Sequence, residues 1–599
     1  MLLPEARLSR LGSTSARPIP ETHLGRAWLA LQLVFTPSHV AVAAPIVMVA
    51  FMGWQQRWIS DDGWINIRVL NQFFAGNGPV FNIGERVEVT TSTLWFWMLV
   101  AGRWLFPGTE PQVTGAAVGW LLTLAGMVTA ALGAARLFAR RNTFVTVPLG
   151  ILAMAALPPF WDFTTSGLET GLSFAWLGTC FWLLTRRIPP APEGRLRNWP
   201  IAAGLCIGLG PLTRPDFTLY AGLFAVALLL TRLRAWWQMI ICCLIGILPA
   251  VAYQVWRMGY YALLVPNTAL AKSAADAQWE QGLIYLIDYA GLYVLAVPLL
   301  VGLLGVGLHL AYAVRKRDLA RAAVVAAPVL GALLHAAYIT RVGGDFMHAR
   351  FLLPDTFALM LPAAVIAVDK PRRETAMVVL AFVAGWAVAI STSARTPYTE
   401  RASEEGIANE RAFWAATTTT NRLLTINDWR SSMRAWDGQL ARWNAEAGLS
   451  YYDNGRDRLP TRTGTGIYLD RDNMGILSVM AGNEVYVIDQ LALTDPITSH
   501  AIEDPRLREH TRVGHNPRPA AWRIARYVKP AEDDSQAVVH ARLAMQCGDL
   551  AVLQQAVTAP MTPARFWENV SLAPRLTTFS FPADPAEARK ALCGWQPGW

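Results

Sequence analysis

"VAVAAPIVMVAFMGWQQRWISDDGWINIR" (Val40–Arg68) joins an apolar run directly to two adjacent carboxylates and a guanidinium. A helix needs roughly 20 mostly apolar residues to cross hydrocarbon, and this run supplies them before the charges begin. Similar runs recur along the chain. Over 599 residues, 53% are hydrophobic and 16% charged, with mean hydropathy +0.29, which is too apolar and too clustered for a soluble globule. The fold class expected is a polytopic α-helical membrane protein.

The formal net charge of +9 does not argue for nucleic acid, because the basic residues sit in short groups between apolar runs and not along one face. They read as topology signals. Arg7, Arg10, Arg17 and Arg26 precede the first run with no cleavage site after it, so residues 1–34 are expected to stay in the cytoplasm. Further basic groups, Arg136/Arg140/Arg141, Arg186/Arg187/Arg195/Arg197, Arg232/Arg234, Arg315/Lys316/Arg317/Arg321 and Lys370/Arg372/Arg373, mark the same side. About eleven crossings follow from the charge rule, at 35–56, 112–135, 143–160, 168–185, 199–213, 216–231, 236–256, 283–312, 320–340, 351–368 and 375–392. The expected units are a transmembrane domain over 35–392, with a first external loop at 57–111, and an exported domain over 393–599. Within the loop, 93–106 reads as a helix lying in the interface. The exported part mixes a helical stretch at 400–448 with short β-like pieces, so it is expected to be a periplasmic α/β domain.

With that topology the unusual polar clusters share the outer face. They are Asp61, Asp62, Arg68, Glu85 and Glu88; Asp162 to Glu169 in "WDFTTSGLET"; Arg214 and Asp216 in "TRPDF"; Lys272 and Asp276; and Arg341, Asp345, His348 and Arg350 in "RVGGDFMHARF". Charges near hydrocarbon cost several kcal/mol unless paired, hydrated or facing a cavity. A shared polar cavity would explain their gathering. Each cluster also has a plain structural reading: helix capping for Ser60 with Asp61 or Asp62, a proline turn for "TRPDF", and a glycine turn with a snorkelling arginine for "RVGGDFMHAR".

A lipid-linked phosphosugar would use what is present. Arg68, Arg214, Lys272, Arg341 and Arg350 are candidates to hold phosphate and the charge that grows on it as it leaves. Asp61 or Asp62 is the candidate base, able also to offset oxocarbenium-like charge. Glu85, Glu88, Glu169, Asp216, Asp345 and His348 are candidate pocket residues. The spacing matches no regular metal motif, although a hard divalent cation held by oxygen ligands from separate loops stays open. Trp429, Trp436 and Trp443 recur every seven residues; a core stripe and a sugar-stacking platform are the two readings. Cys547 and Cys593 lie in the polar C-terminal part and form an eligible disulfide pair if it is exported.

"DDGWINIRVLNQFFAGNGPVFNIGERVEVTTSTLW", "SGLETGLS", "TRPDF" and "VGGDFMHARFLLPD" together resemble the GT-C superfamily of polyprenyl-phosphate-sugar-dependent glycosyltransferases. Within it they are similar to the AftB-type terminal β(1→2) arabinofuranosyltransferases of mycobacterial and corynebacterial cell walls. "VYVIDQLALTDPITSH" and "RVGHNPRP" extend the likeness into the exported domain. The resemblance implies a GT-C bundle in the plasma membrane, a decaprenylphosphoryl-arabinofuranose donor, an arabinan acceptor of arabinogalactan or lipoarabinomannan, and an essential aspartate pair at Asp61 and Asp62. This chain departs from GT-C relatives that read "VEGYTS" and "GLTD": it has "VEVTTS" at Val87–Ser92 and "ALTD" at Ala492–Asp495. The departures bear on the sugar, and another lipid-linked sugar such as mannose is the alternative. A transporter would instead place polar residues at mid-bilayer in repeated halves.

Overall fold

The computed structural model describes residues 37–138, 143–187, 198–272, 277–369, 373–398, 402–418, 420–430, 450–453, 457–460, 468–471, 474–502, 504 and 513–594. Among them, six helices are long and apolar enough to cross a membrane. They are Pro37–Gln55, Pro111–Leu137, Trp236–Tyr261, Ala296–Arg315, Leu319–Arg341 and Arg373–Ser393. Shorter apolar helices, Thr170–Thr185, Trp199–Gly208 and Thr218–Leu230, pack among them.

Three of the expected crossings take other forms. Residues 143–160 begin as a strand, Thr143–Val147, and continue as the short helices Leu149–Ala155 and Pro158–Asp162. Pro148, Pro158 and Pro159 each remove a backbone donor and together disfavour one continuous helix, and the β-branched "TFVTV" suits a strand. Its partner is Ile366–Asp369, paired antiparallel, so the run at 351–368 is also not one helix but a helix, Leu353–Met360, followed by a strand. The run at 283–312 is broken where Val294 takes φ +47°, giving helices Trp279–Leu292 and Ala296–Arg315. The short helices Leu149–Ala155 and Pro158–Asp162 are largely buried in protein, where irregular backbone is tolerated; Val294 at the third break is exposed.

The two ends of the bundle differ. At one end Arg136 donates to the carbonyl of Trp182 and Arg321 to that of Leu137, beside Arg186, whose guanidinium lies over the Trp182 ring. At the other end sits the cap, built from the loop after Gln55 and the chain beyond Ser393. One cap core packs Trp58, Trp64 and Ile67 against Trp414, Leu423, Trp429 and Ile476. Trp429 is therefore fully buried; this corrects the sugar-platform reading, because its face is spent on packing. Trp436 and Trp443 lie outside the described residues.

The cap also carries a four-stranded sheet in the order Asp457–Pro460, Ser450–Asp453, Tyr468–Arg471, Tyr486–Asp489. The last two strands are parallel, and the helix Met474–Ala481 makes the crossover that parallel pairing requires. Helices between Ala520 and Cys593 form a further core with Ala262 and Leu263. Cys547 and Cys593 are disulfide-bonded across it, Cα atoms 5.3 Å apart. The Thr93–Leu105 helix has 13 residues, too short to cross, and leaves Trp97 and Trp104 exposed.

Candidate active site

The Asp61–Phe74 helix starts at Ser60, whose hydroxyl accepts from the N–H of Gly63 at 3.0 Å. Capping is thus done by Ser60, which releases both aspartates. They go different ways. The Asp61 carboxylate accepts from the N–H groups of Gly475 (3.1 Å) and Ile476 (3.0 Å), at the start of the Met474–Ala481 helix. Gly475 is required there: a Cβ would lie 1.9 Å from the Asp61 carbonyl oxygen. Asp61 therefore pins the cap to the loop.

Asp62 faces a cavity of about 200 Å³. The ionisable residues lining it come from five separate segments: Asp62, Glu169, Arg214 with Asp216, Lys272, and Asp345 with Arg350. Arg350 Nη1 lies 2.9 Å from Asp62 Oδ2 and 3.5 Å from Asp345, while Nη2 lies 3.7 Å from Glu169. Arg214 bonds Glu169 at 2.6 Å and Asp216 at 2.7 Å, with its guanidinium 4.3 Å from the centre of the Phe351 ring. The Nε of Arg350 is buried without a hydrogen-bond partner. The ammonium of Lys272 makes no ion pair among the described residues. Two donor groups are thus left for an incoming anion. Leu493 and Val513 of the cap close the same cavity.

Arg350 reaches Asp62 because of an unusual turn. Ala349 takes φ +66°, a left-handed conformation that costs a non-glycine residue about 1–2 kcal/mol. It sends Arg350 into the cavity and His348 the other way.

The electrostatics separate the aspartates as well. Burial alone would raise the Asp62 carboxyl, but Lys272 and Arg350 outweigh it and hold Asp62 below the usual carboxylate range. Asp61 is pushed up to about 6 by burial, against its two backbone N–H partners. Burial also raises Asp345, with Arg350 and Lys272 opposing.

Besides Asp61, five expected site residues stand elsewhere. Arg68 is fully buried and donates to the carbonyls of Phe81, Ser478, Gly482, Asn483 and Val485, so no donor remains for phosphate. Glu85 pairs with Arg526 at 2.7 Å. Glu88 pairs with Arg257 at 2.6 Å and accepts from Tyr253. His348 bonds Asp288 at 2.5 Å and Tyr293 at 3.0 Å and faces a second cavity. Arg341 is absent from the cavity lining, although its neighbours Tyr338, Ile339 and Val342 are in it. Conversely, no motif marks Glu410, which accepts from the backbone N–H of Asp61 at 2.8 Å, or Arg257 and Arg526, which neutralise the loop glutamates. Only folding brings these distant positions together.

No cluster of three or more His, Cys, Asp or Glu among the described residues is arranged to hold a metal ion. What the cavity can do is bind an anion against Arg350, Arg214 and Lys272, beside an ionised carboxylate.

Residues 440–591 match the model of the AftB family C-terminal domain. The chain is 35% identical over 592 residues to the terminal beta-(1->2)-arabinofuranosyltransferase of Mycobacterium tuberculosis, covering 89% of this chain and 93% of that protein. With the enzyme of the same name from Corynebacterium glutamicum it shares 33% identity over 595 residues, covering 89% and 84%. Among solved structures, ArnT from Cupriavidus metallidurans in the apo state aligns with 84% of this chain and 80% of its own at 14% identity, with a TM-score of 0.40.

Proposed function

The chain belongs to the family of terminal beta-(1->2)-arabinofuranosyltransferases, and from that premise we propose how its cavity carries out the transfer. The donor is decaprenylphosphoryl-arabinofuranose, the acceptor a non-reducing end of cell-wall arabinan, and the site lies at the outer face of the plasma membrane in a GT-C type bundle. The gathering of Arg136, Arg186 and Arg321 at the end opposite the cap supports this sidedness, because basic residues favour the cytoplasmic side. Thr93–Leu105, with Trp97 and Trp104 exposed, suits the lipid interface beside the cavity.

The observation that carries the reading is the Asp62–Arg350 pair in a cavity with unspent donors. The donor phosphate takes the free Nε–H of Arg350 and the ammonium of Lys272, and Arg214 holds its far side. Sharing Arg350 with phosphate loosens its grip on Asp62, so the carboxylate becomes more basic as the donor seats. The acceptor hydroxyl oxygen then bonds to the anomeric carbon, the bond from that carbon to the phosphate oxygen breaks, and the hydroxyl proton passes to Asp62. Decaprenyl phosphate leaves with the electron pair, its charge held by the cations that bound it. Asp62 also offsets positive charge on the ring during the transfer. Asp61 acts from behind by fixing the cap that closes the cavity.

The test offers purified full-length protein a panel of decaprenyl-phosphate sugars with arabinan oligosaccharides. Turnover confined to the arabinofuranosyl donor is expected; turnover confined to another sugar would overturn the donor assignment.

A further inference from the structure

A second cavity, of about 100 Å³, lies on the far side of the Ala349 turn, beneath the chain that leaves Ser393. Its walls include Trp58, Trp161 and Tyr293, with the carboxylates of Asp162 and Glu410 and the guanidinium of Arg411. Two of its oxygens are unsatisfied. Asp162 Oδ1 and Glu410 Oε2 are buried with no hydrogen-bond partner, although Arg411 Nε lies 3.5 Å from the first. Glu410 is only 9% exposed, and its other oxygen is occupied by the N–H of Asp61 and the indole N–H of Trp414.

A buried acceptor left empty costs about 1–3 kcal/mol, so the cavity calls for a ligand that donates hydrogen bonds. An anion is disfavoured by the Asp162 carboxylate. A bare cation is disfavoured by Arg411 and Arg395, both in the lining. A purely apolar ligand would leave the oxygens unpaired. What fits is a neutral ring with several hydroxyls lying against the aromatic walls. At about 10–15 Å³ for each water-sized site, the space takes seven to ten or so non-hydrogen atoms, close to one pentose residue.

We propose that this cavity is a second glycan site, holding one pentofuranosyl residue of an arabinan chain apart from the residue being extended. The choice of pentose rests on the arabinofuranosyl transfer proposed above. The placement rests on the orphaned oxygens and the walls. Because Glu410 Oε1 touches the backbone of Asp61, occupancy is sensed one hydrogen bond from the aspartate pair.

The experiment measures binding of arabinan oligosaccharides of increasing length to the full-length protein in detergent, by calorimetry or saturation-transfer NMR, for wild type, Glu410→Gln, Asp162→Asn and Ala394→Trp. In Glu410→Gln the side-chain oxygen stays on Asp61 and Trp414, so an NH2 that can only donate replaces a carboxyl oxygen that can accept even while it carries its proton. Ala394→Trp fills the space by bulk. Each variant is expected to bind long oligosaccharides about tenfold more weakly, and to raise the acceptor KM for long chains relative to the shortest one. Unchanged long-chain affinity in all three, with thermal melts showing folded protein, overturns the proposal. So does an equal loss for short and long chains, the mark of a general structural defect. Wild-type protein that binds oligosaccharide through Asp162 and Glu410 yet transfers no arabinofuranose would sink the transfer proposal and leave this one standing.

Discussion

Arg68 and Arg350 are both buried guanidinium groups at the cap end of the bundle, and they do opposite things. Arg68 spends its donors on five backbone carbonyls and has none left. Arg350 sits among three carboxylates and keeps one N–H unpaired. Burial alone therefore says little about role; the kind of partner decides. Carbonyls hold a cation in place for good, whereas carboxylates can give it up to a competing phosphate.

The sharpest way to break this contrast is Arg68→Met. Losing the cation leaves buried carbonyls unpaired at about 1–3 kcal/mol each, so loss of about 4 kcal/mol or more is expected, with poor yield of folded protein. A well-folded Arg68→Met with a raised donor KM would return Arg68 to the active site. Arg350→Lys should do the reverse. It keeps the charge and loses the fork, so kcat/KM for the donor is expected to fall about a hundredfold, near 3 kcal/mol, with the melting temperature nearly unchanged.

The sequence does not separate the two, since Arg68 and Arg350 both read there as candidates to hold phosphate. Asp62, Arg214, Asp216, Asp345 and Arg350 line one cavity, each near the cap end of a helix that the apolar runs mark out, whereas Asp61 and His348 from the same motifs face elsewhere. Glu85 and Glu88 were indistinguishable from them, since a carboxylate reads the same whether its partner is Arg526, Arg257 or a substrate. Those arginines are 441 and 169 residues away along the chain. The crossings failed where proline and β-branched residues sit inside apolar runs, at 143–160 and 351–368, because hydropathy averages over local backbone preference.

Smaller tests sharpen the same contrast at the cap contacts. Glu410 is pushed up to about 8 by burial and by Asp62. The folded chain thus keeps a proton that the unfolded chain has released, so stability falls as pH rises from about 4.5 to 8. Glu410→Gln should flatten that slope by a few kcal/mol at most, as read by melting temperature against pH. A slope unchanged by the substitution would show that another group titrates. The smallest effect concerns Ala492, which takes φ +64° beside Leu493 in the cavity wall. Ala492→Gly relieves the left-handed strain and is expected to stabilise the cap by about 1 kcal/mol, measured by thermal melting. Destabilisation would mean that the Ala492 methyl packs usefully.

The division of labour between the adjacent aspartates is tested most directly by comparing Asp61→Asn with Asp62→Asn, measuring kcat and thermal stability on the same preparations. Asp62→Asn should lose about 100- to 10,000-fold in kcat at a nearly unchanged melting temperature, while Asp61→Asn melts lower and keeps most of its turnover when folded. An Asp62→Asn protein that turns over normally, beside a stable but inactive Asp61→Asn, would contradict it.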